Sequence, residues 1–279
     1  MATDASRRDA GALSARSVVA STLLGTVPPR LPGRLLAVFA AEFGIQAGTT
    51  RTAISRMVDR GELRHLDGGE YELAGDLLAR HLRQEAGLHP VTHPWDGTWE
   101  MYVVPTGSRS SSDRAALRRA ADHLGLWERR DGVWMRPANL DPERLPEARS
   151  VVAAQTESYV ASPSGDPGAL LASLFDLTGW AGQASDLVAE LDETGAALVA
   201  PDRLADGFVL AAAALRHLVT DPLLPAELEP EGWPARPLRQ AYAAYLSDYQ
   251  QGLRAFFRAH ATGDEPVPQV GGDGPTMTP

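Results

Sequence analysis

GIQAGTTRTAISRMVDRGEL, residues Gly44–Leu63, is the stretch on which the reading of this chain turns. A helix from Ala47 to Arg60 would place Thr50, Ala53, Ile54, Met57 and Val58 on one apolar arc at the 3.6-residue period. The opposite face then presents Gly48, Thr49, Thr52, Ser55 and Arg56. Small and hydroxyl-bearing groups let a helix lie deep in a duplex groove, and one guanidinium can reach a base edge or a phosphate. Arg51 falls at the border of the buried arc, with its stem expected on the core and its head on a phosphate. Gly61 stops the helix. Glu62–Leu66 and Glu70–Leu73 then alternate as two short strands around Asp67-Gly68-Gly69, a β-hairpin. Arg60 and Arg64 flank it as backbone contacts, and Arg16 is a weaker phosphate candidate.

Working outward, Ser14–Leu24 has the spacing of a first helix, with Val18, Val19, Leu23 and Leu24 inward and Ser14 as its cap. Pro28, Pro29 and Pro32 end it and force an extended joint. Gly33–Phe43 reads as a second helix, and Gly75–Glu85 continues out of the hairpin. Helix, helix, turn, helix, hairpin is the winged helix-turn-helix plan. The charge agrees locally. Residues 1–65 hold nine arginines against five acids, so this part is positive by four although the whole chain carries −10. Phosphate attraction acts within a Debye length of about 8 Å, so the sign of the docking face outweighs the total.

Leu88–Gly97 (LHPVTHPWDG) is a linker, since its prolines and Trp-Asp-Gly turn cannot continue a helix. Thr98–Val104 then alternates as a strand and Asp113–Leu124 is an amphipathic helix. Leu126–Arg129 and Gly132–Arg136 are strands across a tight turn, Asp141–Ala148 a short helix, and Ser150–Tyr159 a last strand. The order βαββαβ predicts a small ferredoxin-like layer. After a second linker, Ser162–Gly168, helices are expected at Ala169–Leu177, Trp180–Thr194, Leu204–Thr220 and Leu238–Ala261. Asp221–Pro234 is a proline-punctuated loop whose Asp221 would cap or brake the helix before it. The first dozen residues and the tail from Gly263 read as disordered. The chain is thus an α+β multidomain protein, divided at 13–87, 95–161 and 168–262.

With no cysteine, the chain has neither disulfide nor thiolate chemistry. The N-terminus lacks the apolar segment of a secretory signal, and no apolar run is long enough for a membrane span, so a cytoplasmic protein is expected. Arg114, Arg118, Arg119, Arg129 and Arg130 cluster among acids, as a solvated mixed-charge face would. His89 and His93 share a Pro-rich segment where helical ligand spacing has no meaning, so no metal is expected. Nor does any phosphate loop, nucleophile elbow or carboxylate–histidine constellation appear, so no cofactor is expected and an enzyme is disfavoured. The rival readings are a thioester-handling enzyme with an appended winged helix and a winged helix that binds protein.

Four motifs carry a resemblance. RTAISRMVDRGEL (Arg51–Leu63) is similar to RTALxRLxxxGWL of the PaaX family of bacterial transcriptional repressors. PWDGTW (Pro94–Trp99) matches that family's PWDGxW, and LGLWERRDGVWMRP (Leu124–Pro137) resembles LGFGxLxxGVWIxP. LVTDPLLPAELEPEGWP (Leu218–Pro234) resembles VxxDPLLPxELLPxxWP. The resemblance implies a homodimeric repressor with a winged helix, a Cas2-like ferredoxin-fold middle and a helical C-terminal part. Such a repressor binds a double-stranded operator and releases it when an acyl-CoA effector binds, phenylacetyl-CoA in the founding branch. The C-terminal helices would hold the effector in an apolar cleft, with Trp180, Arg216, His217 and Trp233 available to line it. Two departures stand out. The hairpin reads DGGEYEL where the family has GRRSxYxL, and the family's GWL is Gly61-Glu62-Leu63. Asp67, Glu70 and Glu72 should repel phosphates, which shifts the expected affinity onto the helix and the N-terminal arginines.

Overall fold

The computed structural model describes residues 13–26, 28–107, 109–200 and 203–260. The expected lead over residues 1–12, the tail from Gly263 and the helix end at Ala261 lie outside the described residues. The fold is mixed α+β with two antiparallel sheets. Its residues gather into two compact units. One takes the described residues up to Leu82, Glu190–Ala212 and those from Ala243; the other takes Arg83–Ala189 and Ala213–Tyr242.

In the first unit, α1 (Ala15–Leu24) is capped by the Ser14 hydroxyl, which accepts from the Ser17 N–H at 3.1 Å. β1 (Arg30–Pro32), α2 (Gly33–Ala41), α3 (Ala47–Asp59), β2 (Leu63–His65), β3 (Glu70–Leu73) and the start of α4 (Gly75–Leu88) follow. Residues 30–32, expected as an extended joint, are in fact a strand, and the sheet order is β1-β3-β2. The prolines hid it, because a strand is tolerated there only at a sheet edge where a missing N–H costs no ladder bond. Tyr71 sits at the centre, opposite Leu31 on one side and His65 on the other. Its ring also lies on Gly33, where a Cβ would come within 2.7 Å of it. Val18, Val19, Leu23, Leu35, Leu36 and Phe39 are buried against the α3 stripe. Phe39 further meets Phe256 and Phe257 at ring-centroid distances of 5.6 and 6.0 Å, and Phe43 meets Phe208 at 5.3 Å. The C-terminal helices α8 (Leu177–Leu198), α9 (Leu204–Val219) and α10 (Ala235–His260) thus each give one end to this unit and the other end to the second.

The second unit holds β4 (Trp99–Val103), α5 (Ser111–His123), β5 (Trp127–Arg130), β6 (Val133–Pro137), α6 (Pro146–Gln155), β7 (Glu157–Ala161) and α7 (Pro167–Leu174). The sheet order β5-β6-β4-β7, antiparallel throughout, follows from the expected βαββαβ sequence. The second half of that reading needs correcting. Residues 150–155 are helical, and the last strand starts at Glu157. Pro146 at the first helical position starts α6 late, and Ala148 and Val152, four residues apart, bury one face against Leu117, Ala120 and Ala121. The β-branched pair Val151-Val152 favours a strand by propensity; burial on a helical period overrides that preference.

Candidate nucleic-acid interface

Three residues of α3 are buried, Thr50, Ile54 and Met57. Their i, i+4, i+7 spacing anchors the helix by one narrow stripe, with Ala53 and Val58 only half-buried beside it. Gly61, at φ +70°, ends the helix in the left-handed conformation and lets the Glu62 N–H return to the Met57 carbonyl at 2.8 Å. Gly48, Thr49, Arg51, Thr52, Ser55, Arg56, Asp59 and Arg60 are all exposed. Arg51 and Arg56 make no hydrogen bond or ion pair with any described residue, so their donors are available. A Cβ at Gly48 would meet nothing within 4 Å, so no internal contact demands a glycine there. Thr52 is less free, since its hydroxyl donates to the Gly48 carbonyl at 3.0 Å. Arg51 opens onto a groove of about 570 Å³ whose walls include Gly33, Ala37, Ile54 and Tyr71.

The hairpin is not the bare negative surface that its sequence implies. Glu62 accepts two bonds from Arg16, each at 2.9 Å. Arg64 is ion-paired with Glu72 on the neighbouring strand, and Arg30 stands 3.9 Å from Glu70. The hydrogen bonds from Arg16 hold the Glu62 carboxyl below its ordinary range. Each glutamate of the hairpin is therefore matched by an arginine. By the same token Arg16 and Arg64 have their guanidinium groups engaged, whereas Arg51 and Arg56 meet no partner among the described residues. Sequence reasoning missed this because the Arg16–Glu62 pair spans 46 residues.

The residues considered for an effector lie in the second unit. Trp180 stacks on His217 (4.6 Å, 20° between planes) and on Trp233 (4.8 Å, 21°). Both tryptophans are buried, at 6% and 8% exposure, and the Trp180 carbonyl bonds the His217 Nε2 at 3.0 Å. Burial pushes the His217 imidazolium down from its ordinary value, so the ring favours its neutral form. Arg216 is exposed. Three of the four are brought together as an interlocked stack. Asp221, expected to act on the helix before it, instead caps the loop after it: its Oδ1 accepts from the Leu223 N–H at 2.8 Å, and its Oδ2 pairs with Arg239.

Missed altogether was Arg136, 1% exposed on β6. Its guanidinium donates to the carbonyls of Leu124, Gly125, Pro137, Pro222 and Leu223 and to Asn139 Oδ1. Asn139 adds a bond to the Leu223 carbonyl at 2.9 Å. The Asp221–Pro225 loop is therefore fastened to the sheet by one arginine, which burial pushes down to about 10.

The comparisons agree with this architecture. A family model described as PaaX-like protein matches residues 14–77, and one described as PaaX protein central Cas2-like domain matches residues 92–168. Among solved structures, the chain is similar to the uncharacterized protein Rv0674 from Mycobacterium tuberculosis. The two share 38% identity over 88% of this chain and 99% of that one, with a TM-score of 0.68. No protein of curated function matches.

Proposed function

The chain belongs to the PaaX family, and from that premise we propose that it is a DNA-binding transcriptional repressor of a catabolic operon. The first unit acts as a winged helix whose α3 enters the major groove. The observation that carries this reading is the free face of α3: Arg51, Ser55 and Arg56 exposed above the Thr50–Ile54–Met57 anchor, with neither guanidinium engaged by a described residue. Arg56 donates to a base edge or phosphate and Arg51 and Arg60 to the flanking backbone, while Gly48, Thr49 and Thr52 admit close approach. Arg64 joins them only by leaving Glu72.

Two copies acting on successive major grooves would read half-sites about 34 Å apart. A second copy has a fitting surface in β7, an edge strand of the Cas2-like sheet with Tyr159 and Val160 47% and 77% exposed. The functional segments remain 13–87, 95–161 and 168–262, the last contributing to the sensing of a small acid or acyl-CoA that releases the operator. We place the protein in the cytoplasm and outside the enzymes. No helix among the described residues is long and apolar enough to cross a membrane.

A mobility-shift titration against the DNA upstream of the protein's own gene tests the proposal. Saturable binding that survives competitor DNA is expected, and Arg56→Ala should weaken it while the oligomeric state in sedimentation stays unchanged. Binding that does not distinguish operator from competitor would overturn it.

A further inference from the structure

A cavity of about 450 Å³ lies wholly within the second unit, and its walls divide by chemistry. One side is apolar, with Leu126, Leu145 and Leu223 around the rings of Trp127 and Phe175, whose centroids are 5.3 Å apart. The other side is basic, with the guanidinium cations of Arg83, Arg136 and Arg144 beside the imidazole of His123. Two carboxylates also line it. Asp221 is already committed to Arg239 and to the Leu223 N–H, and Asp122 is exposed. Positive charge is therefore in excess.

That excess is unsatisfied. Arg144 donates through Nη1 to the Ala86 carbonyl at 2.5 Å, but its Nε is buried with no hydrogen-bond partner among the described residues. Arg83 has no hydrogen-bond partner among them either. Burial disfavours the cationic forms of Arg144 and His123, and neighbouring guanidinium groups add to it, Arg239 for Arg144 and Arg83 for His123. A bound anion would offset both effects by favouring the charged forms. A wholly apolar ligand would leave the charges uncompensated. A nucleotide thioester would need more room and further cations for its phosphates. A compact body with one negative end satisfies both walls.

We propose that this cavity binds a small apolar carboxylic acid as its anion, with the carboxylate on Arg144 beside Arg83 and His123 and the apolar body against Trp127 and Phe175. Arg83 belongs to the last turns of α4, and Arg144 holds the carbonyl of Ala86 on the same helix. α4 begins two residues after the hairpin strand β3. The acid thus engages the helix that leaves the hairpin. Its meaning as an operator-releasing signal rests on the repressor reading; its binding does not.

Isothermal titration of the full chain tests this, using benzoate, 3-phenylpropanoate and octanoate, with 3-phenylpropanamide as the uncharged isostere. At least one acid should bind, and for 3-phenylpropanoate the acid should bind at least tenfold tighter than its amide. Arg144→Gln and Arg83→Gln should each weaken the best acid at least tenfold, and Arg118→Gln on α5 should leave it unchanged. If Arg144→Gln lowers the melting temperature, Arg83→Gln decides, since that side chain has no hydrogen bond with a described residue to lose. Absence of binding by all three acids at millimolar concentration, equal binding of acid and amide, wild-type affinity in both variants, or tighter binding of the coenzyme A thioester than of its acid would overturn the proposal. Operator binding without acid binding refutes this inference alone; acid binding without operator binding refutes the repressor reading alone.

Discussion

Arg56 on α3 and Arg136 on β6 have the same side chain in opposite circumstances. Arg136 is 1% exposed and donates to five backbone carbonyls and an amide oxygen. Arg56 is exposed and donates to no described residue. A guanidinium offers five donors in a fixed fork, and what matters is where they point. Enclosed by carbonyls that segments far apart in sequence supply, it holds a loop in place. Left open on a convex helix, it can meet an outside partner. The hairpin arginines fall between the two, exposed yet paired.

Removing Arg136 should have the largest effect. Arg136→Leu strips the partners from several buried acceptors, each worth about 1–3 kcal/mol when left unsatisfied. Chemical denaturation should show a loss of at least about 3 kcal/mol. Arg136→Lys, which keeps the charge but not the fork, should fall between this variant and wild type. Arg56→Ala should do the reverse: operator affinity falls by about 1–3 kcal/mol if the side chain reads a base, while stability stays within about 0.5 kcal/mol. A stability loss equal to that of the Arg136 variants would erase the contrast.

Gly48→Ala sharpens it further. With nothing for the new methyl to strike, the helix should gain about 0.5–1 kcal/mol in thermal unfolding. Operator binding should weaken nonetheless if the backbone there approaches the duplex. Glu72→Gln, freeing Arg64, should tighten DNA binding about two- to threefold at low salt and steepen its salt dependence. The smallest effect is that of pH on Glu62. Its folded-state pKa is depressed, so its stabilising contribution is complete above the ordinary value of 4.5 and is lost as pH falls through the folded value. Because Arg16 is 45% exposed, the contribution should stay below about 1 kcal/mol, and Glu62→Gln should flatten the acid limb of the stability curve by that amount.

Helix α3 and its outward face were legible because one local period determines both, as the burial of Thr50, Ile54 and Met57 shows. The βαββαβ order was legible for the same reason, although the boundary near residue 150 was not. What stayed hidden depends on partners far along the chain. β1 exists only because Leu31 finds Tyr71, and the charge of the hairpin is set by Arg16 and Arg30 rather than by its own residues. The carbonyl cage of Arg136 joins positions 86 and 87 residues apart, and no local pattern announces it. The stack of Trp180, His217 and Trp233 was visible as a set of candidate residues, but not as a packed cluster.

The two sheets end differently, and that difference should reach the bench. β1 closes one flank of its sheet with prolines at 28, 29 and 32, and β5 carries a bulge and three consecutive charged residues. β7 has a bare flank with Tyr159 and Val160 turned outward. Strands of that kind recruit others indiscriminately during overproduction. Concentrated preparations should therefore aggregate through β7 first, and a single Val160→Lys change should keep the chain in solution at concentrations where the parent clouds.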